Sequence, residues 1–388
     1  MELYIAAIFW FAVLLLSHAY FIYPFSLRIF NLFKSSPSVN YQDELPSISI
    51  LIAAYNEEKV IAERIDNIRN LDYDFNKLEL IIGSDCSDDK TNEILKLKSQ
   101  DYNWLKICFF DKRRGKAAVL NDLAQIAKND ILVFSDANTK FEKAALKHLV
   151  SYFNVEQVGG VCGRLLLEEP TNGFDKTNRE RLYWKYETQL KKLEGNLGIL
   201  ISANGGIYAI RKKLFTKFPV KEAVTDDLFQ TLAVLNQNYL FLYSYDAVAS
   251  EEVSKEIITE FRRKVRFAAT NFQTLKFFQQ LLAAKKLLIS YALWSHKIIR
   301  WFVPIILIVL FITNALLIND SIMYYIIFLI QSFFYSAAIL GFIFNKLKIN
   351  IPIFGIVYYY IYTNIALLVG LIKFLFGRHA YIWESTPR

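Results

Sequence analysis

The chain has 388 residues, 54% of them hydrophobic and 16% aromatic, with a formal net charge of +8 and a mean hydropathy of +0.24. That apolar load exceeds what an ordinary soluble protein carries and excludes a purely soluble fold. The excess of Lys and Arg is dispersed and no nucleic-acid motif accompanies it, which excludes a nucleic-acid partner and favours anionic headgroups and phosphates.

In chain order, the first expected element is an apolar helix over 3–23. Glu2 precedes it and Arg28 and Lys34 follow it, the reverse of a cleaved leader, so the pattern predicts an uncleaved anchor with its basic flank inside the cell. After Pro46 the sequence alternates: strand 47–54, helix 57–70, strand 78–83, helix 90–100, strand 105–110, helix 117–127, strand 131–134, helix 142–154. Continuous apolar strands separated by helices predict an α/β domain with a doubly wound, mostly parallel sheet. Gly159, Gly160 and Gly163 fall in another apolar strand and mark a bulge or a close approach. A strand over 208–211 and a helix over 228–236 follow, the latter opened by Asp226 and Asp227, with Thr225 as an alternative cap. Between 255 and 286, Ile258, Phe261, Val265, Phe272 and Leu275 recur at helical spacing beside basic residues. This reads as a helix on the headgroup surface, with a core-facing helix as the alternative.

The stretches 301–318, 321–345 and 349–372 contain no Asp, Glu, Lys or Arg, and each is long enough for a bilayer, which takes about 20 apolar residues. The expected organisation is an anchor at 1–34, a cytoplasmic domain at 35–254, amphipathic interface helices at 255–296 and a membrane region with a short tail at 297–388. The chain would sit in the plasma membrane with the Lys346/Lys348 loop inside and Asn319 and Asp320 outside. The same parity places Arg378 and Arg388 outside, against the tendency of basic residues to stay inside, so the side taken by the tail is left open. Cys86, Cys108 and Cys162 are odd in number and lack paired spacing, as free thiols in a reducing compartment do. The four His are scattered and suggest no metal site.

In open parallel sheets, ligands bind beyond the carboxyl ends of the strands. Four polar clusters fall there: Tyr55, Asn56 and Glu57; Ser84 and Asp85 with Asp88 and Asp89; Lys112, Arg113, Arg114, Gly115 and Lys116; Asp136 and Asn138. A carboxylate and an amide oxygen two residues apart suit Mg²⁺ or Mn²⁺ shared with substrate phosphates. The basic cluster suits those phosphates, and Asp85 suits a nucleobase or ribose. With no GxxxxGK[ST] and no GxGxxG after the first strand, neither a phosphate-cradling NTPase nor a nicotinamide enzyme fits, and a nucleotide-sugar remains.

The run of "ILIAAYNEE", "IIGSDCSDDKT", "RRGKAAVLN", "VFSDANT", "GGVCGRL", "NGGIYAIR", "TDD" and "RRKVRF" resembles family 2 of the glycosyltransferases, in the membrane-bound branch that includes hyaluronan, chitin and poly-N-acetylglucosamine synthases. The resemblance implies a GT-A-like domain and a metal-dependent inverting transferase that moves a sugar from a UDP-sugar to a cell-surface polysaccharide. By it Asp85 contacts uracil, Asp136 and Asn138 hold metal and diphosphate, and Asp227 is the catalytic base. Asn56, Glu57, Arg114, Lys116, Arg263 and Arg266 then fall on the donor side, and Asp226, Gly205 and Phe267 on the acceptor side. The family's usual Asp-x-Asp is here Asp136-Ala137-Asn138, and its Gln-x-x-Arg-Trp is Arg263-Lys264-Val265-Arg266-Phe267. A ceramide glucosyltransferase-like enzyme, adding one sugar to a lipid, shares Arg at the first of those positions and competes with the polysaccharide reading. An inactive scaffold on the same fold is the reading from another class.

Overall fold

The computed structural model describes residues 1–34, 45–168, 177–252, 257–347, 349 and 351–377. Lys255, Lys348, Arg378 and Arg388, named above, lie outside them. A helix α1 (Glu2–Phe33) leads into the α/β domain. There follow β1 (Ile48–Ala54), α2 (Ile61–Arg69), β2 (Leu78–Asp85), α3 (Thr91–Asp101), β3 (Leu105–Phe110), α4 (Lys116–Ile126), β4 (Ile131–Phe134), β5 (Lys140–Phe141), α5 (Ala145–Val150), β6 (Val158–Glu168), α6 (Thr177–Asn196), β7 (Tyr208–Arg211), α7 (Asp226–Asn236), β8 (Leu240–Glu252) and α8 (Ile257–Lys276). Three more long helices close the described chain: α9 (Leu287–Leu316), α10 (Ile322–Lys346) and α11 (Pro352–Leu375).

The eight strands form one sheet in the order β3-β2-β1-β4-β7-β6-β8-β5. The first four are parallel, β7 is antiparallel to both of its neighbours, and β6 and β8 run parallel. Alternation within β1 shows how the sheet is covered. Leu51 points into the core shared with α1, α4, α6 and α7, whereas Ile48, Ile50 and Ile52 point into the one under α2, α3 and α5. Both faces are buried, which is why these strands read as unbroken apolar runs.

Gly159 and Gly160 sit at a register shift where β6 slips against β8, so the bulge expected there is present. A Cβ on Gly160 would overlap the Phe241 ring. Gly160→Ala is therefore expected to destabilise the domain by about 1–3 kcal/mol, the usual cost of overpacking a filled core, as a lower denaturant midpoint at unchanged slope.

Several expectations shift. The helix expected over 57–70 begins at Ile61, because the backbone N–H groups of Asn56, Glu57 and Glu58 are held by the side chains of Ser87, Thr91 and Asp89 instead of entering a helix. The helix expected over 142–154 is a short α5 continued by a 3₁₀ turn, Ser151–Asn154. Thr225 occupies the N-cap position of α7, but its hydroxyl bonds to Thr270 and Asn271 and does not cap the helix.

Helices α1, α9, α10 and α11 are each long and apolar enough to cross a membrane. Helix α9 starts well before the expected boundary because its charges have partners. His296 meets Glu187 and Glu194 of α6, and Arg300 meets Glu187 at 2.5 Å. The apolar face of α8 is covered by α11. Phe272 stacks on Phe374 at 5.4 Å, Phe261 lies 4.9 Å from Tyr362, and Gly370 admits the backbone of Val265 and Ala269. The core-facing alternative is the one observed.

Candidate active site

The polar clusters meet along the carboxyl edge of the parallel strands, in two groups. On the β1–β3 side the side-chain amide of Asn56 donates to Asp88 at 2.6 Å and its oxygen accepts the Asp88 N–H at 3.1 Å. Asn56 adopts φ 53 to do so, a left-handed conformation that Asn tolerates better than most residues. Tyr55 carries the Arg113 guanidinium over its ring at 3.1 Å. Glu57 joins this loop through its backbone N–H to Thr91.

Asp85 was expected to bind a base, and the structure gives it another duty. It is 3% exposed, and its two carboxylate oxygens accept the N–H groups of Arg114 and Gly115 at 2.8 and 2.7 Å. Gly115 reaches this position with φ 86, a conformation that glycine adopts without penalty. Asp85 thus shapes the basic loop from beneath. The Arg114 guanidinium pairs with Asp122 at 2.8 Å.

Lys116 links this half to the second one. Expected to face phosphates directly, its ammonium bridges Asp136 at 2.6 Å and Asp226 at 2.8 Å. Burial opposes its charge, but the two carboxylates outweigh burial and raise its pKa. Asp136 follows the end of β4, and its side chain stays 34% exposed. Asn138 lies half-buried in the following turn.

Gly205 lies beside both Asp136 and Asp227. A Cβ there would lie 3.7 Å from an Asp227 oxygen and 3.9 Å from an Asp136 oxygen, in ordinary contact. The bare glycine leaves that space to a ligand. Asp227 opens α7, where its Oδ1 accepts the Leu228 N–H at 2.6 Å and its carbonyl accepts the Thr231 hydroxyl. Burial and the neighbouring Asp226 push its carboxyl up to about 6, against the opposing pull of Lys191, the Leu228 N–H and Lys116. A carboxyl titrating there is well suited to take a proton near neutral pH.

Arg263 and Arg266 enter from α8. Burial and Arg263 lower the Arg266 pKa, while Asp226 and Asp136 work to raise it, which places Arg266 in the field of those acids. Arg263 bonds to Glu260 at 2.8 Å. Phe267 is 41% exposed, flanked by Arg266 at 5.2 Å and Arg263 at 6.0 Å, and so is not core.

Three supporting residues have no readable signal in the sequence. Lys191 sits in a charged run that looks solvated, yet it is 7% exposed and its ammonium donates to the Asn204 side chain and to the Ala203 carbonyl, behind Gly205. Glu251, at the end of β8, accepts the Thr139 hydroxyl at 2.5 Å and would lie 2.5 Å from a Cβ on Gly206. Burial and Asp136 push it up to about 7. Buried Arg64 ties Ser135 at 2.8 Å and lies 4.2 Å over the Phe141 ring, bracing the Asp136 turn from behind.

Among the described residues, no three His, Cys, Asp or Glu gather as a metal-holding group. Asp136 and Asn138 by themselves offer a partial oxygen shell. That shell fits a hard divalent cation completed by substrate phosphates and water, the usual habit of Mg²⁺ in nucleotide sites.

A mostly parallel α/β sheet with acids beyond the strand ends and at the head of α7 is GT-A-like. The mannosyltransferase PcManGT of Pyrobaculum calidifontis, solved with GDP-Man and Mn²⁺, has the same fold: TM-score 0.73 over 96% of this chain and 100% of that one, at 18% identity. Residues 49–216, less than half of the chain, match the model of Glycosyl transferase family 2, and this segment is similar to that family. A probable glycosyltransferase of Bacillus subtilis, YdaM, is 28% identical over 63% of this chain and 60% of its own length. The beta-monoglucosyldiacylglycerol synthase of Trichormus variabilis is 29% identical over 60% of this chain and 50% of its own. The poly-beta-1,6-N-acetyl-D-glucosamine synthase of Staphylococcus aureus is 32% identical over 34% and 31%. The chain therefore spans about half to three-fifths of the first two relatives.

Proposed function

We propose that this protein is a membrane-bound inverting glycosyltransferase that moves one sugar from a UDP-sugar to a hydroxyl of a membrane lipid. The observation that supports the transfer is the convergence of Asp227 and Asp136 on the open Cβ position of Gly205, with a carboxylate oxygen of each within 4 Å of it. The sugar would sit at Gly205, its diphosphate toward Asp136, Lys116 and Arg266, and the attacking hydroxyl toward Asp227. Asp227 takes the hydroxyl proton as the new bond forms on the face opposite the leaving group. Lys116 and Arg266 neutralise the charge that builds on the departing diphosphate by charge-assisted bonds. A divalent cation held by Asp136 and Asn138 would add Lewis-acid stabilisation of the same charge. Asp85 keeps the basic loop in place, with base contact left to its remaining lone pairs.

The choice of a lipid over a polymer rests on the helix bundle. Gly341 of α10 lies against the Phe354 carbonyl of α11, and Phe9, Ala12, Ile306, Leu310, Leu317 and Tyr324 fill the interior between α1, α9 and α10. Helices packed this closely leave little room for a polysaccharide between them. Polymer synthesis is the second reading, favoured by the likeness to the poly-N-acetylglucosamine synthase. Incubation of the full chain with labelled UDP-sugars and membrane lipid, followed by sizing, separates the two. A single glycolipid is expected; a polymer would overturn the lipid acceptor. Absence of both UDP release and transferred sugar with every donor would favour the inactive scaffold.

A further inference from the structure

Helix α6 has two working faces. Glu187, Lys191 and Glu194 recur at i, i+4 and i+7 on one face, against the active-site turn and α9. A different face, with Lys185, Tyr186, Gln189, Leu190 and Leu193, lines a groove of about 240 Å³ against Pro24 and Arg28 of α1.

The groove carries two cations and no acid. Arg28 and Lys185 are exposed, and neither makes a hydrogen bond or ion pair with another of the described residues. The floor is apolar, with Leu190 1% exposed.

Its depth follows from α1. About 20 residues at 1.5 Å each cross the hydrocarbon, so the apolar stretch from Leu3 to Tyr23 fills it. Arg28 then stands roughly 7 Å further along the helix, at headgroup level. Tyr186 donates to the Tyr20 carbonyl and Asn31 to the Leu193 carbonyl, so α6 runs beside α1 through that layer. Basic side chains over an aliphatic floor at this depth match a phosphate carried on a glycerol backbone with its acyl chains alongside.

We propose that the groove between α1 and α6 binds the headgroup of an anionic glycerophospholipid. Arg28 and Lys185 hold the phosphate, Gln189 reaches the polar glycerol region, and Pro24, Leu190 and Leu193 line the upper acyl chain. The groove lies on a different face of α6 from Lys191, so this lipid is a bound partner distinct from the sugar acceptor. Seated there, it steadies the helix that carries Lys191 beneath Gly205. The inference rests on the membrane reading of the four apolar helices, not on the transfer reaction.

Native mass spectrometry of the full chain, released from detergent with dioleoyl phosphatidylglycerol or dioleoyl phosphatidylcholine, tests it without any activity assay. One phosphatidylglycerol should be retained in preference to phosphatidylcholine. The double variant Arg28→Gln/Lys185→Gln should lose about 30-fold in retention, the effect of two cations near a membrane surface, and Arg28→Lys/Lys185→Arg should keep it. Equal retention of the two lipids, or undiminished retention by the Gln variant, would overturn the proposal. So would displacement by millimolar inorganic phosphate, which would mark a free-phosphate site. Should the double variant melt early in phosphatidylcholine alone, Lys185→Gln on the exposed helix surface gives the same comparison, with about 5-fold loss expected.

Discussion

Asp227→Asn should reduce sugar transfer by about 100- to 10,000-fold, the range for removal of a positioned general base, while UDP still binds. The amide cannot take the acceptor proton, but it keeps the shape and an oxygen for the Leu228 N–H. Binding of UDP by calorimetry and turnover measured on the same sample check both halves. Unchanged turnover would remove Asp227 from the mechanism.

The wild-type pH profile follows from the same carboxyl. The base works ionised, and its pKa is pushed up to about 6, so kcat/KM should fall as pH drops through about 6 and level off above it. For stability the sign is opposite. A carboxyl whose folded pKa lies above its unfolded value opposes folding increasingly as pH rises from the unfolded value through the folded one. Asp227→Asn should therefore melt no lower than the wild type at pH 8. An inactive variant that is at least as stable would show that the buried charge is kept for chemistry.

The second large effect belongs to Asp136. Asp136→Ala should lower transfer about 100- to 1,000-fold, as loss of a preorganised electrostatic contact does, and should abolish any gain in UDP affinity on adding Mn²⁺. In the wild type that gain should be present and reversed by a chelator. UDP affinity indifferent to Mn²⁺ in the wild type would sink the metal reading, leaving Lys116 and Arg266 to meet the diphosphate. The Ala variant also removes one of the two carboxylates bridged by Lys116, so its fold should be checked by the denaturant midpoint.

How much of this was legible depends on the range of the interactions. Strands β1 and β4 are readable because burial on both faces imposes continuous apolar runs, and Gly160 because a glycine inside such a run marks a bulge. Asp136 and Asp227 stand out because each follows or opens a regular element. The protein partners of Asp85 and Lys116 were not legible, since residue type and position beyond a strand cannot say which partner occupies a side chain. Asp85 finds backbone N–H groups 29 and 30 residues ahead, and Lys116 finds an acid on another helix. The start of α9 was misplaced because His296 and Arg300 look unfit for a buried helix until Glu187 and Glu194 appear beside them.

The sequence by itself determined what local chemistry dictates: the order of strands and helices, the apolar spans, and the acids at the strand ends. The tertiary structure decided what depends on distant segments meeting. It brought Asp136 and Asp227 together at Gly205, placed Lys191 on the Ala203 and Asn204 oxygens, and covered the apolar face of α8 with α11. Those outcomes come from pairing charges and filling space across long stretches of chain, where a residue's neighbours in sequence say nothing of its neighbours in space.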